Sequence, residues 1–167
     1  SFFALPARGA HALPDAGVAT MFGIFDVLNA FTTMPIAGAG PTPPFRAEIV
    51  GAQAGPLTVI SGIPVPVSRP IDELAHTDIV IVPSIVLGPD GWERGRYPEL
   101  VDWMARMHRQ GALLCSACSG IFLLAETGLF DERDVTVHYD YASQFRHTHP
   151  LVRIHPERAL VVSGEQD

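Results

Sequence analysis

The sequence has few cysteines, few basic residues and no long hydrophobic run. Only Cys115 and Cys118 occur among its 167 residues, and two cysteines three positions apart exclude the framework of a disulfide-stapled secreted domain. Two ligands also cannot make a structural zinc site without histidines at suitable spacing. We therefore expect both thiols to be reduced.

Positive charge is scarce, since 11 Lys and Arg residues stand against 18 Asp and Glu residues and the formal net charge is −7. This balance argues against the broad positive surface that neutralises phosphates, so this segment is not expected to bind nucleic acid directly. No apolar run approaches the roughly 20 residues that span a bilayer. The first residues also lack the pattern of a signal peptide. We expect a cytoplasmic protein with no membrane partner.

The composition, with 47% hydrophobic and 17% charged residues, is typical of a globular chain rather than a disordered one. The length fits one domain that spans residues 1–167. The chain begins on Ser1 rather than on methionine, and its last predicted strand is followed by no closing helix. These features indicate a fragment that is truncated at its C-terminus.

Hydrophobic periodicity predicts alternating strands and helices. Strands are expected at 2–6, 45–51, 56–61, 77–83, 112–118, 134–139 and 159–164, and helices at 19–31, 97–110, 119–130 and within 140–150. The Ile/Val run at 77–83 is typical of a central parallel strand, whereas the prolines of 62–71 do not suit one. The alternation predicts an α/β fold, a three-layer sandwich in which helices cover both faces of a mostly parallel sheet.

Two of the predicted helices carry apolar residues at helical spacing, which indicates a face that packs on the core. These residues are Met21, Phe22, Phe25, Leu28 and Phe31 in the first helix, and Leu100, Met104 and Met107 in the second.

The passage from strand 112–118 into helix 119–130 is the strongest functional signal. Ligands of open parallel sheets bind outside the carboxyl ends of the strands, and Cys118 lies at such an end. The helix behind it would offer free N–H groups and a positive dipole end, which stabilise a thiolate. Small neighbours, Ala117, Ser119 and Gly120, allow a strained turn. The pattern alone leaves open a nucleophile-type position and a small buried cysteine.

Several other residues receive less weight. Odd spacing on a strand sends side chains to opposite faces, so Cys115 is expected in the core rather than in a redox pair with Cys118. We predict no metal, because surface histidines beside proline turns are ordinary; the residues concerned are His147, His149 and His155. The charged loop residues Asp90, Glu93, Arg94 and Arg96 are expected in solvent. Trp92 is expected over a pocket mouth or in a subunit contact.

The segment "CSGIFLLAETGLF" and the following "VTVHY" resemble the ThiJ/PfpI superfamily, which has the class I glutamine amidotransferase-like fold. "TMFGIFDVLNAF" resembles the first helix of that family and "TDIVIVP" its central strand. The sequence is most similar to the version found at the N-terminus of AraC-type transcriptional regulators. The resemblance implies a flavodoxin-like sheet over nearly the whole chain.

The resemblance also implies roles for individual residues. Cys118 matches the cysteine of the family's strand-to-helix elbow, and His138 matches the histidine that approaches it; the two would be the catalytic pair of an enzyme. Thr20 stands where catalytic relatives carry an acidic residue, and Ser84 and Ile85 replace a Gly-Gly pair that helps to form an oxyanion site. Backbone N–H groups could still serve there. The residues expected to contact a ligand are Thr20, Ser84, Ile85, Cys118, Ser119, Gly120 and His138.

The resemblance implies a ligand-sensing or dimerising domain of an AraC-type regulator. Such a domain would bind an unknown small molecule at Cys118 without a cofactor, form a homodimer, and leave DNA to a helix-turn-helix domain beyond Asp167. The alternative is a cysteine-dependent enzyme of the superfamily, namely a hydrolase, an isonitrile-hydratase-like enzyme or a glyoxalase-like lyase. A purely structural dimerisation domain is a third possibility.

Overall fold

The computed structural model describes residues 2–3, 15–33 and 46–164. Its strands are β1 (Phe2–Phe3), β2 (Ile49–Gly51), β3 (Gly55–Thr58), β4 (Pro64–Val67), β5 (Arg69–Pro70), β6 (Ile79–Val82), β7 (Leu113–Ser116), β8 (Asp134–Val135) and β9 (Arg153–Ile154). Its α-helices are α1 (Val18–Thr33), α2 (Pro98–Arg109), α3 (Ile121–Ala125) and α4 (Ala142–Thr148). None of these helices has the length and apolar character that crossing a membrane requires.

The central sheet is parallel and has the strand order β5-β2-β1-β6-β7. β6 pairs with β1 on one side and β7 on the other, so the predicted interior strand at 77–83 is confirmed. Val80 and Val82 join a core cluster with residues of α2 and α3, whereas Ile81 packs on a cluster with residues of α1. Because successive strand residues face opposite sides, these helices cover opposite faces. The predicted three-layer α/β architecture is confirmed.

The apolar faces of the two predicted helices are buried. In α2, Leu100, Met104 and Met107 are almost completely inaccessible to solvent. In α1, Met21 is fully buried, and the partly buried residues Phe22, Phe25 and Leu28 pack against the same cluster. The side chain of Phe31 and the predicted strand residues 4–6 lie outside the described part of the chain.

Several expected strands differ from the observed ones. The apolar segment 112–118, expected to be a buried strand, forms the shorter strand β7 at the edge of the described sheet, and 57% of Leu113 is exposed. Residues 159–164 form no strand, and residues 159–163 instead line a cavity together with β7. The expected strand 134–139 is reduced to β8, which pairs with β9 in a separate two-stranded sheet. The proline-rich β4 pairs with β3 in a hairpin outside the central sheet, as its prolines predict.

Phe122 of α3 is the centre of the largest aromatic cluster described. Its ring centroid lies 4.9 Å from that of Phe145, 5.8 Å from that of Trp92 and 6.4 Å from that of Tyr141. Edge-to-face and tilted contacts at these distances add to the free energy gained by burying the rings. Phe122 thus joins α3, α4 and the loop before α2.

We predict that Phe122→Ala destabilises the fold by about 3–5 kcal/mol, because it removes a fully buried ring and leaves a cavity between three elements. Urea unfolding followed by circular dichroism measures the change. Leu151→Ala is the control, since 61% of Leu151 is exposed, and it should change stability by less than about 0.5 kcal/mol. Equal effects of the two substitutions would contradict the prediction.

Candidate functional site

Cys118 lies on a strained turn between β7 and α3. Its φ is 51°, in the left-handed region that a non-glycine residue adopts at a cost of about 1–3 kcal/mol. The Cys118 residue is exposed, which contradicts the alternative of a cysteine buried beneath a helix. The structure therefore presents this thiol to solvent at the carboxyl end of the sheet, as the strand-to-helix pattern predicts.

Small residues after Cys118 allow this turn. A Cβ atom at Gly120 would lie 2.4 Å from the carbonyl oxygen of Pro83 and 2.7 Å from that of Val82, so only glycine fits against the end of β6. Ser119 is buried, and its hydroxyl accepts a hydrogen bond from Ile85 N at 2.9 Å and donates one to Ile85 O at 2.6 Å. The turn is thereby attached to the segment that follows β6.

The backbone N–H groups of residues 84–86 are all hydrogen-bonded inside the protein. Ser84 N donates to Thr20 Oγ1 at 3.0 Å, Ile85 N to Ser119 Oγ at 2.9 Å, and Val86 N to Asp15 O at 2.6 Å. An oxyanion site needs donors that are free to point at the developing charge. The expectation that the N–H groups of Ser84 and Ile85 could serve in this way is therefore wrong for this conformation.

Thr20 joins α1 to the same segment. Its hydroxyl lies 2.6 Å from Ser84 Oγ and donates to Gly17 O at 2.9 Å. Gly17 leaves room for this contact, because a Cβ atom there would lie 2.1 Å from Ser84 Oγ. Thr20, for which the resemblance implied an acidic counterpart in catalytic relatives, thus supplies a hydroxyl with a structural role.

Cys118 and His138 line one cavity of about 700 Å³. The remaining lining comes from 113–117, 134–137, Tyr139, 156–163, Ile121, Leu124 and Phe130. The His138 ring stacks on Tyr139 with 4.4 Å between ring centroids, and its Nδ1 accepts a long hydrogen bond from Asp140 N at 3.4 Å. Within the described residues, no hydrogen bond joins Cys118 to His138. The structure places Cys118 and His138 on one cavity with no hydrogen bond between them.

The other predicted site residues do not line this cavity. They form the hydrogen-bonded junction described above, and they are Thr20, Ser84, Ile85, Ser119 and Gly120. The predicted contact of these five residues with a ligand stays a prediction.

Cys115 is half-buried and lines the same cavity as Cys118. Burial raises the pKa of the Cys115 thiol, because removal from water disfavours the thiolate. The expectation that Cys115 lies in the core is thus met only in part, since part of the residue faces the cavity.

A buried ionic cluster before α2 is absent from the sequence-based expectations. The Tyr97 hydroxyl donates to Asp15 Oδ2 at 2.7 Å, and Arg96 forms an ion pair with the same carboxylate. Burial, and secondly the hydrogen bond to Asp15, raise the pKa of Tyr97 above its usual range. The expectation that Arg96 is solvated is wrong. The pairing could not be predicted from local sequence, because Asp15 lies about eighty positions before Arg96 and Tyr97.

Glu126 anchors the loop before α2 to the end of α3. Its carboxylate accepts hydrogen bonds from Trp92 Nε1 at 2.6 Å and from Gly95 N at 2.9 Å. Trp92 is buried against Phe122 and is not part of the cavity lining. The expectation that Trp92 covers the mouth of this cavity is therefore wrong, and the expected subunit contact stays a prediction.

The three histidines of the possible metal site lie in different environments. His147 is exposed, whereas His149 is buried and stacks on Phe145. His155 pairs with Asp134 Oδ1 at 2.8 Å and with Glu157 Oε1 at 3.3 Å. Within residues 15–33 and 46–164, no group of three or more His, Cys, Asp or Glu side chains is arranged to hold a metal ion.

His149 is a buried neutral base. Its Nδ1 lies 2.9 Å from Thr148 Oγ1, and its buried Nε2 has no hydrogen-bond partner among the described residues. Burial, and secondly the charge of Arg94, lower the pKa of His149 to about 4. The expectation of a surface histidine is wrong here, because the ring fills the aromatic cluster around Phe122.

Comparison with known proteins identifies relatives of this chain. Residues 27–161 match the family model described as the DJ-1/PfpI family. A curated relative, the HTH-type transcriptional regulator CdhR of Pseudomonas aeruginosa, is 25% identical over 138 residues, which cover 81% of this chain. The chain spans only 39% of the length of that relative.

Solved structures show the same fold. An AraC family transcriptional regulator from Pseudomonas putida superposes with a TM-score of 0.72 at 17% identity, covering 96% of this chain and 77% of the other. Drosophila melanogaster DJ-1beta superposes with a TM-score of 0.68 at 14% identity, covering 97% and 77%. At these identities the likeness establishes the fold, and the flavodoxin-like architecture is confirmed.

We predict that acid destabilises the fold through His149. The pKa of His149 is about 4 in the folded chain against an ordinary value of 6.5, so the unfolded chain takes up the proton first as the pH falls. The contribution of His149 to stability is complete above about pH 6.5 and declines toward pH 4, with a loss of about 2 kcal/mol at pH 5. Urea unfolding at several pH values measures the change.

His149→Phe keeps a stacked ring and should remove this part of the pH dependence. The same substitution at the exposed His147 is the control and should leave it unchanged. A pH dependence in His149→Phe equal to that of the wild type would refute the assignment.

Proposed function

This chain belongs to the DJ-1/PfpI family, and from that premise we propose that it is the ligand-sensing and dimerising domain of an AraC-type transcriptional regulator. The curated relative carries an HTH-type regulator name, and this chain covers only part of its length. In this proposal residues 1–167 form the sensing domain, and a separate domain beyond them binds DNA in the cytoplasm. The formal net charge of −7 fits a domain that leaves DNA contact to another.

The observation that carries the proposal is the hydrogen bonding of residues 84–86. Chemistry at a cysteine elbow usually passes through a negatively charged intermediate, which free N–H groups stabilise. Here the N–H groups of Ser84 and Ile85 already have acceptors within 3.0 Å. Thr20 supplies a hydroxyl rather than a carboxylate beside them. The site is therefore better suited to binding than to catalysis.

The cavity beside Cys118 is the proposed ligand site. Its volume of about 700 Å³ lies in the range of pockets that hold small molecules. Apolar walls come from β7, α3 and 159–162. Cys118 and His138 supply polar groups at the elbow, and charged groups come from Asp134, Glu157 and Arg158. A mostly apolar small molecule with a polar group near the His138 ring would fit this lining.

A homodimer is part of the proposal, and α1 supports it. This helix of sixteen residues contains a single charged residue, Asp26, and 63% of Val27 is exposed. Helices that are apolar on most sides are generally covered. A second copy would cover α1, and a bound ligand would shift the arrangement of the two subunits.

A cysteine-dependent enzyme is the second candidate. The exposed Cys118 at a φ of 51° favours it, and so does the presence of His138 on the same cavity. In such an enzyme a rotation of the His138 side chain would bring a base to the thiol.

We predict that the chain does not turn over methylglyoxal, p-nitrophenyl acetate or methyl isocyanide through Cys118. Steady-state rates of the wild type, Cys118→Ala and the control Cys115→Ala should agree within about twofold, because the donors for a charged intermediate are occupied. A rate that falls about 100-fold or more in Cys118→Ala alone would establish the enzyme instead.

We further predict that filling the cavity abolishes ligand sensing. The isolated chain is screened by thermal unfolding against amino acids, amines and carboxylic acids tested singly, and at least one compound should raise Tm, since binding to the folded state stabilises it. The same compound should change the affinity of the full-length regulator for its promoter DNA about 5- to 150-fold.

Ala117→Phe places a ring beside Cys118 and should abolish both responses. Ala54→Phe, at an exposed position outside the cavity lining, is the matched control and should keep them. The proposal fails if no compound stabilises the chain, or if Ala117→Phe responds as strongly as the wild type.

A further inference from the structure

Ser119 holds residue 85 at two points. Its hydroxyl accepts from Ile85 N at 2.9 Å and donates to Ile85 O at 2.6 Å. Ser119 is only 2% exposed, so water cannot easily replace either bond. A buried polar group that loses its partner is left without the compensation that water would give it. Cys118 is the preceding residue, so a displacement of the turn strains both bonds.

The start of helix α1 holds the same segment from the other side. Ala16 and Ile85 form an antiparallel bridge, and Val86 N donates to Asp15 O at 2.6 Å. Gly17 N donates to the carbonyl oxygen of the neighbouring serine, Ser84, at 2.7 Å. Residues 84–86 are therefore fixed simultaneously to the elbow and to the segment that leads into α1.

We propose that Ser119 is a positioning residue that couples the Cys118 elbow to the segment 15–20 at the start of α1. A group that occupies the cavity beside Cys118 shifts the turn, and the two hydrogen bonds of Ser119 transfer that shift to Ile85 and on to Ala16. The coupling between the Cys118 turn and the segment 15–20 can exist whether or not the proposed function is correct. Only its role in regulation rests on the proposed function. Ser119 does not line the cavity, so in this scheme it acts through its hydrogen bonds to Ile85.

Because the Cys118 turn is closely packed, a displacement of the turn moves the residues that contact it instead of being taken up within the turn. The Cα of Gly120 lies so near β6 that a Cβ would be 2.4 Å from Pro83 O, and this contact prevents the turn from sliding toward the sheet. Without the Ser119 hydroxyl, the turn would remain in place by packing alone and would lose its directional contact with Ile85. Interiors at this density move between discrete arrangements rather than deforming continuously.

The test uses hydrogen exchange of the full chain with a defined occupant. Iodoacetamide places a carboxamidomethyl group on Cys118 in a Cys115→Ala background, and mass spectrometry follows amide exchange in peptides that cover 15–20 and 84–86. Alkylation should change the rate of amide exchange in both peptides at least about threefold when Ser119 is present. The same change is expected in Ser119→Thr, because this variant keeps a hydroxyl at position 119.

In Ser119→Ala, the amide of Ile85 should exchange about tenfold faster before alkylation. Alkylation should then no longer change the exchange rate of the peptide that covers 15–20.

Thr127→Ala is the matched control, because its hydroxyl also bonds a backbone carbonyl, Leu124 O, at 2.7 Å in the same helix region. This variant should keep the full response to alkylation, which separates a general loss of stability from a loss of coupling. An unchanged response in Ser119→Ala, or no response at 15–20 in the Cys115→Ala parent that keeps Ser119, overturns the proposal. If Ser119→Ala does not fold, the Cys115→Ala parent and Ser119→Thr decide, since both must respond.

Failure of this inference is distinguishable from failure of the proposed function. The adduct on Cys118 tests coupling without any natural ligand, whereas the compound screen and the DNA-binding measurement test sensing without reference to Ser119.

Discussion

The site depends on one constraint, the need to hold a non-glycine residue in the left-handed conformation at the end of β7. The φ of 51° at Cys118 costs backbone strain, so the surrounding contacts must exclude a relaxed turn. Gly120 does this by close approach to Pro83 and Val82, and Ser119 does it by bonding Ile85 twice. The exposed thiol is thus the result of contacts made on the buried side of the turn.

The same contacts limit what the thiol can do. The N–H of Ile85 donates to the Ser119 hydroxyl, so it is not available to a reacting group. The N–H of Ser84 is not available either, because it donates to the Thr20 hydroxyl. Catalytic sites keep such donors free and accept the cost of leaving them unpaired. In this chain the hydrogen bonds of Ser84 N and Ile85 N are completed internally, which agrees with the proposal that the site binds a ligand rather than catalyses a reaction.

Sequence patterns predicted those features that depend on neighbouring residues. The Ile/Val run of β6, the apolar face of α2 and the turn at Cys118 follow from local periodicity and residue size, and the structure contains all three. The expected strand at 159–164 failed because strand formation needs a partner backbone, which local sequence does not specify. The pairing of Asp15 with Arg96 and Tyr97 was missed for the same reason. At the site, Cys118 and His138 line one cavity and their predicted roles stay predictions, whereas the internal partners of Ser84 and Ile85 required the fold.

The segment 84–86 also lies at the boundary between the two core clusters. Ile85 belongs to the cluster of α2 and α3, and its bridge partner Ala16 belongs to the cluster that contains Met21 of α1. The central sheet otherwise lies between the helices on its two faces. A structural change at the Cys118 turn therefore has a short covalent and hydrogen-bonded route to α1 that does not require repacking either cluster. This arrangement gives the proposed ligand cavity on one side of the molecule a physical connection to α1, the helix proposed to contact a second subunit.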